Sequence, residues 1–197
     1  MTKGEDTRRE IVEKAAPLFN QKGFEGTSMS DLMRATGLEK GGIYRHFSSK
    51  EELASEAFDY AWQKAVERRL EGVDEAADAV ERLKKMIDNF VDIRTGLVAG
   101  GCPLLNAAID SDDGNPVIRE RAREALRGWQ ARIAKVIRAG RTRGEIRKSV
   151  KPDELAALVI SQLEGALMIS RLNQSQKPLE WARDHLLEHL EGSVRAK

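Results

Sequence analysis

The chain has 197 residues, enough to bury a core in one or two domains. Charged side chains make up 33% of it and aromatic ones 5%, which suits an all-helical protein, and its single cysteine excludes an intrachain disulfide. The net charge is +1, and residues 1–50 hold nine Lys/Arg against seven Asp/Glu, so any affinity for nucleic acid must come from the placement of cations and not from bulk charge. No stretch resembles a secretory leader and no apolar run reaches the length of a bilayer span, so the expected location is the cytoplasm.

Helical periodicity runs through the chain, with no convincing strand, internal repeat or low-complexity tract. A first helix is predicted over Asp6 to Lys22, with Ile11, Ala15, Leu18 and Phe19 on one face. Thr27 and Ser28 precede a short apolar run and can cap a second helix, which Thr36-Gly37 ends because glycine takes the left-handed conformation without a Cβ penalty. A third helix is predicted from Lys40 to Phe47; Ile43 and Phe47, four apart, share its inner face, while Lys40, Tyr44 and Arg45 point outward. Ser49 and Glu52 have capping-box spacing and open a long helix from Lys50 to about Glu71.

A fifth helix is predicted over Asp74 to Arg94, followed by a glycine-rich break from Gly96 to Gly101. Pro103 starts a short helix ending near Ser111, and Asn115-Pro116 caps a long one to Arg143, with Ile118, Ala122, Leu126, Trp129, Ile133 and Val136 inward. Its arginines, from Arg119 to Arg147, alternate with glutamates and read as a solvated face. The last two helices start at Pro152 and Pro178. The expected fold is therefore all-α with about nine helices: three N-terminal helices forming a helix-turn-helix unit over 1–50, and a helical remainder over 51–197.

Two short helices joined by a tight turn are the geometry that lays one helix in the DNA major groove. Lysine and arginine can meet phosphates or guanine edges, and tyrosine can bond a phosphate. Spacing alone also fits an ordinary helical hairpin with a polar outer face. The residues themselves carry more. Gly37-Leu38-Glu39-Lys40-Gly41-Gly42-Ile43-Tyr44-Arg45-His46-Phe47-Ser48-Ser49-Lys50-Glu51-Glu52-Leu53 strongly resembles the DNA-binding signature of the tetracycline-repressor (TetR/AcrR) family of bacterial regulators, and Arg9 to Ser28 is similar to that family's first helix and its exit. The resemblance implies that Lys40, Tyr44, His46 and Lys50 touch phosphates, that Gly41, Gly42 and Arg45 face base edges, and that Thr27 and Ser28 contact the backbone. Glu39 and Gly42 depart from the family's usual serine and threonine, which bears on operator sequence and affinity.

The resemblance also implies a homodimer, formed through the last two large helices, and an effector cavity among the middle ones. The apolar residues Leu155, Leu158, Val159, Leu163, Ala166, Leu179, Ala182, Leu186 and Leu190 are the expected dimer interface; the same stripes would equally pack within one subunit. Trp62, Met86, Phe90, Cys102, Leu105, Asn106, Ile109, Trp129, Glu164 and Met168 are the expected ligand contacts, many of them equally readable as core, and the scarcity of charge among them points to a neutral or hydrophobic effector. Cys102, at the cap of a helix, would have a lowered thiol pKa, and Gly101-Cys102-x-x-x-Asn106 is similar to a subgroup that senses oxidants or electrophiles; the plainer reading is a small packing residue. His185, Glu188 and His189 match an inverted zinc motif but lack a third ligand, so neither metal nor cofactor is expected. The function expected is a repressor released from a palindromic DNA operator by a small molecule. A regulator that acts without a ligand or as an activator, and a small helical enzyme using the cavity, are the alternatives, the last lacking an acid–base pair.

Overall fold

The computed structural model describes residues 3–92 and 98–196. Among them are nine α-helices: α1 (Lys3–Gly26), α2 (Met29–Thr36), α3 (Lys40–Tyr44), α4 (Lys50–Arg69), α5 (Ala79–Val91), α6 (Pro103–Asp110), α7 (Pro116–Arg143), α8 (Pro152–Leu172) and α9 (Lys177–His189), with a π-helical turn at Leu190–Val194. Extended pairing among these residues is confined to one antiparallel bridge between Ile146 and Arg195. Contacts divide the chain into two compact units, one of Met1–Val66 with Gly96–Leu126 and one of Glu67–Thr95 with Arg127–Lys197.

The first unit is built on α1. Ile11, Val12, Ala15 and Ala16 fall on one face and are buried with Leu32 of α2, Ile43 of α3, Phe47 and Leu53. Gly23 (φ 74°, ψ 177°) breaks the regular helix one residue after the predicted end, and the helical run resumes as far as Gly26. Ser28 caps α2: its hydroxyl accepts the Asp31 N–H at 3.1 Å and the Asp31 carboxylate accepts the Ser28 N–H at 3.2 Å. Gly37, in the left-handed region at φ 73°, ends α2 by donating its N–H to the Met33 carbonyl. The third helix is shorter than predicted, since regular structure stops at Tyr44 and Phe47 is reached through a turn whose N–H groups return to Ile43.

The second unit holds α5, most of α7, α8, α9 and the π turn. Helix α5 starts five residues later than predicted, because the Asp78 carboxylate accepts the N–H groups of Val80 and Glu81 and so sets the first turn at Ala79. The predicted end of α5 at Arg94 and the start of the glycine break at Gly96 lie outside the described residues. On α7, Ile137 is fully buried and Val136 only half-buried, a one-residue shift from the predicted inward face. Helix α8 corrects the expectation that no run is long enough to cross a membrane: its 21 residues are, by length and composition, apolar enough. Burial accounts for part of that apolarity, since Leu155, Ala156, Val159, Ile160, Leu163, Ala166 and Leu167 are all buried. The C-terminus is fastened to α5 by Arg195, which donates to Asp78 at 2.7 Å and to Glu81 at 2.5 Å.

Candidate DNA interface and effector region

The outer face of α3 is built by what lies beneath it. Ile43 and Phe47 are each about 1% exposed. With these two residues inside, Lys40, Gly41, Tyr44 and Arg45 are exposed, and Gly42 and His46 are half-buried beside them. A Cβ built at Gly41 would meet nothing within 4 Å, so the fold itself does not require a glycine there. The Lys50 ammonium lies 4.4 Å from the centre of the Phe24 ring, and that of Lys40 lies 5.9 Å from the Tyr44 ring. Ser28 is exposed at the start of α2. Thr27 is a correction: its exposure is 0%, and its hydroxyl donates to the Gly23 carbonyl at 2.7 Å, so its side chain tethers the α1 exit and does not reach a phosphate. Arg34, not singled out from the sequence, is exposed in the last turn of α2 and adds a cation to this surface; its only sequence signal was a basic residue near a helix end.

Three charges lock this surface in place. The Arg8 guanidinium, 4.2 Å from the centre of the Phe47 ring, pairs with Glu52 at 2.6 Å and with Glu56. Glu52 accepts the N–H and hydroxyl of Ser48 at 2.6 Å each, while the Ser49 hydroxyl accepts the Glu52 N–H, so the predicted capping box closes one residue early. The Ser48 hydroxyl and then Arg8 hold the Glu52 carboxyl down to about 2. Lys22, 3.0 Å away, and then the Ser28 hydroxyl lower Asp31 to about 2 as well.

Of the expected ligand contacts, those in the first unit do not assemble into one site. Asn106 donates its amide to the Asn20 backbone carbonyl (2.9 Å), the Asn20 side-chain oxygen (3.0 Å) and the Gly100 carbonyl (2.9 Å), which commits it to joining α6 to α1. Asp110, at the other end of α6, accepts the Phe24 N–H at 2.8 Å. These residues edge a small cleft lined by Phe19, Phe24, Phe58 and several alanines. Cys102 does stand at the α6 cap, but it is buried and its side chain makes no capping hydrogen bond, and Ile109 is 65% exposed. Trp62 and Leu105 are half-buried. In the second unit, Met86, Phe90, Trp129 and Glu164 do come together, lining a small cavity with Ile87, Ile133, Val159, Ile160 and Leu163. Met168 is exposed instead. Sequence reading missed Arg69, whose buried guanidinium pairs with Glu164 at 3.5 Å.

The expected dimer residues require the largest correction. Leu155, Val159, Leu163, Ala166, Leu179, Ala182, Leu186 and Leu190 are all buried within the single chain, where α8 packs on α9. Only Leu158 is exposed, at 49%, and it has other exposed apolar residues for company: Met168, Ile169, Leu172 (78%) on α8 and Trp181 (67%) on α9. Among the described residues, no three His, Cys, Asp or Glu side chains are grouped to hold a metal.

Residues 11–57 match the family described as bacterial regulatory proteins, tetR family, and residues 79–186 match the tetracyclin repressor-like C-terminal domain. A TetR transcriptional regulator from Chloroflexus aurantiacus J-10-FL, solved by crystallography, is 46% identical with a TM-score of 0.95 over all of both chains. A TetR-family regulator from Cytophaga hutchinsonii is 33% identical with a TM-score of 0.93, covering 100% of this chain and 98% of its own. The HTH-type transcriptional repressor DhaR of Mycobacterium sp. (strain GP1) is 26% identical over 176 residues, which is 88% of this chain and 86% of that protein. The chain belongs to the TetR family of transcriptional regulators. These are DNA-binding transcriptional regulators with a ligand-binding domain.

Proposed function

We propose that this protein is a cytoplasmic homodimeric repressor that reads a palindromic operator with α3 and leaves it when a small molecule fills the cavity of the second unit. The observation that carries the reading is the outward face of α3, where Lys40, Gly41, Tyr44 and Arg45 stand exposed over a buried Ile43–Phe47 anchor. Arg45 and the exposed backbone at Gly41 face base edges, and Lys40, Tyr44, His46, Lys50 and Ser28 hold phosphates. A single five-residue helix reads too little sequence for strong discrimination. Two copies one helical turn apart read a palindrome. The exposed apolar face of Leu158, Met168, Ile169, Leu172 and Trp181 supports pairing of two copies, since a patch of that kind is stabilised by removal from water.

The functional boundary lies near residue 50, where α4 begins. A ligand that fits one arrangement of the second unit shifts the population toward it. Helix α4, which starts beside the DNA-reading segment and ends at Arg69, carries that shift to the spacing of the two recognition helices. The test is selection of genomic DNA fragments by the purified protein at near-physiological salt. A few fragments sharing a palindrome are expected; retention of DNA without a common motif, or of none, overturns the reading.

A further inference from the structure

Arg69 occupies an aromatic box. Its guanidinium carbon lies 4.7 Å from the centre of the Phe90 ring and 5.6 Å from that of Trp129, and a terminal nitrogen lies 3.5 Å from the Glu164 carboxylate. The Arg69 and Glu164 side chains are 7% and 12% exposed. Two aromatic faces and a carboxylate around one buried point are what an organic cation needs: the ring quadrupoles attract it, and the carboxylate offsets the loss of its hydration.

Phe90, Trp129 and Glu164 also line a small cavity of the second unit, whose other walls are the apolar Met86, Ile87, Ile133, Val159, Ile160 and Leu163. A molecule in that cavity therefore meets the same rings and the same carboxylate as Arg69 does. We propose that the effector of this regulator is an organic cation, an ammonium or guanidinium group on an apolar body, and that Arg69 holds its place in the free protein. The proposal rests on the second-unit cavity being the effector site.

Three physical points favour this chemistry over a neutral or acidic ligand. First, the charged group among the lining residues is the Glu164 carboxylate, which, once Arg69 leaves the box, repels an anion and leaves a neutral apolar head beside a buried charge. Second, the Arg69–Glu164 separation of 3.5 Å is longer than a direct charge-assisted hydrogen bond of about 2.8 Å, so a compact ammonium can approach the carboxylate more closely than the guanidinium does. Third, the exchange is neutral: one cation enters as another leaves, so no buried carboxylate is stranded. Arg69 is the last residue of α4, and its carbonyl accepts the Asn89 amide of α5 at 3.2 Å. Expelling its side chain from the box disturbs the end of the helix whose other end adjoins the DNA-reading segment.

The test uses one apolar body with three head groups: 4-phenylbutylamine, 4-phenylbutanol and 4-phenylbutyrate, each titrated calorimetrically into the full-length protein at neutral pH. The amine is expected to bind at least tenfold more tightly than the alcohol, and the carboxylate not at all. Glu164→Gln should erase the preference for the amine over the alcohol, and Arg69→Met, which removes the internal competitor, should raise affinity for the amine at least tenfold. Equal binding of amine and alcohol by the wild type, tighter binding of the carboxylate, or no binding of the amine overturns the proposal even if either variant fails to fold. Operator binding measured on the same preparation separates the two readings: intact operator binding with no preference for the amine sinks the cationic effector alone.

Discussion

Gly23 and Gly41 are both glycines of the DNA-reading half, yet they answer to different demands. Gly23 is left-handed, and a Cβ there would collide with the Asp110 carboxylate. Gly23→Ala is expected to cost about 2 kcal/mol or more through strain and the clash, read as a lowered urea midpoint. Gly41 is helical with open space around it. Gly41→Ala should leave stability unchanged or raise it by up to about 1 kcal/mol, while operator affinity falls at least tenfold because the added methyl occupies the space a base edge needs. A thermal melt beside an anisotropy titration separates the two effects, and unchanged operator affinity would place the groove contact elsewhere on α3. Glu52 makes a pH prediction. Its folded-state carboxyl sits at about 2 against an ordinary 4.5, so it stabilises the fold fully above the ordinary value, and that contribution is lost as pH falls from about 4.5 toward 2. Glu52→Gln should flatten the acid limb of a stability-against-pH curve; a curve of unchanged slope would show that Ser48 and Arg8 do not depress this group.

At the scale of elements, the capping chemistry was legible because it is local. Ser28, Gly37, Pro103 and Asn115 each act through residues within a turn of themselves, and each stands where the sequence put it. Ser28→Ala should remove both halves of the α2 capping box and cost about 1 kcal/mol, measurable by urea denaturation. The start of α5 was not legible, because Glu75, Ala76 and Ala77 are good helix formers that would extend it backward, and the choice of Asp78 as cap is shared with Arg195, far away in the sequence. The dimer stripe failed for a related reason. A helix that packs on its own neighbour and one that packs on another copy show the same apolar period, so Leu155 and Leu186 could not be told from Leu158 and Trp181 until α8 met α9. Arg69 was hidden too, since a basic residue at the end of a helix reads as a favourable partner for the helix dipole and its burial is a tertiary fact.

For the molecule as a whole, the proposed pairing of two copies through the exposed α8–α9 face makes a prediction about assembly. Leu172→Asp with Trp181→Asp should leave the helical content intact and shift the sedimenting species from dimer to monomer. Operator affinity should then fall by at least a hundredfold, because each half-site is engaged independently and the gain from simultaneous binding disappears. A dimer of undiminished stability would assign this face to a different role.

The seam between α6 and α1 is fastened by hydrogen bonds, through Asn106, Asn20, Gly100, Asp110 and Phe24, and only in part by apolar packing. Greasy surfaces slide past one another at little cost, whereas a hydrogen bond weakens steeply once its geometry is lost. The seam is therefore expected to behave like a ratchet tooth, engaged or disengaged with little in between. The Phe24 amide proton, held by the Asp110 carboxylate at 2.8 Å, makes that setting visible one proton at a time: slow exchange with heavy water while the tooth is engaged, and fast exchange once it slips.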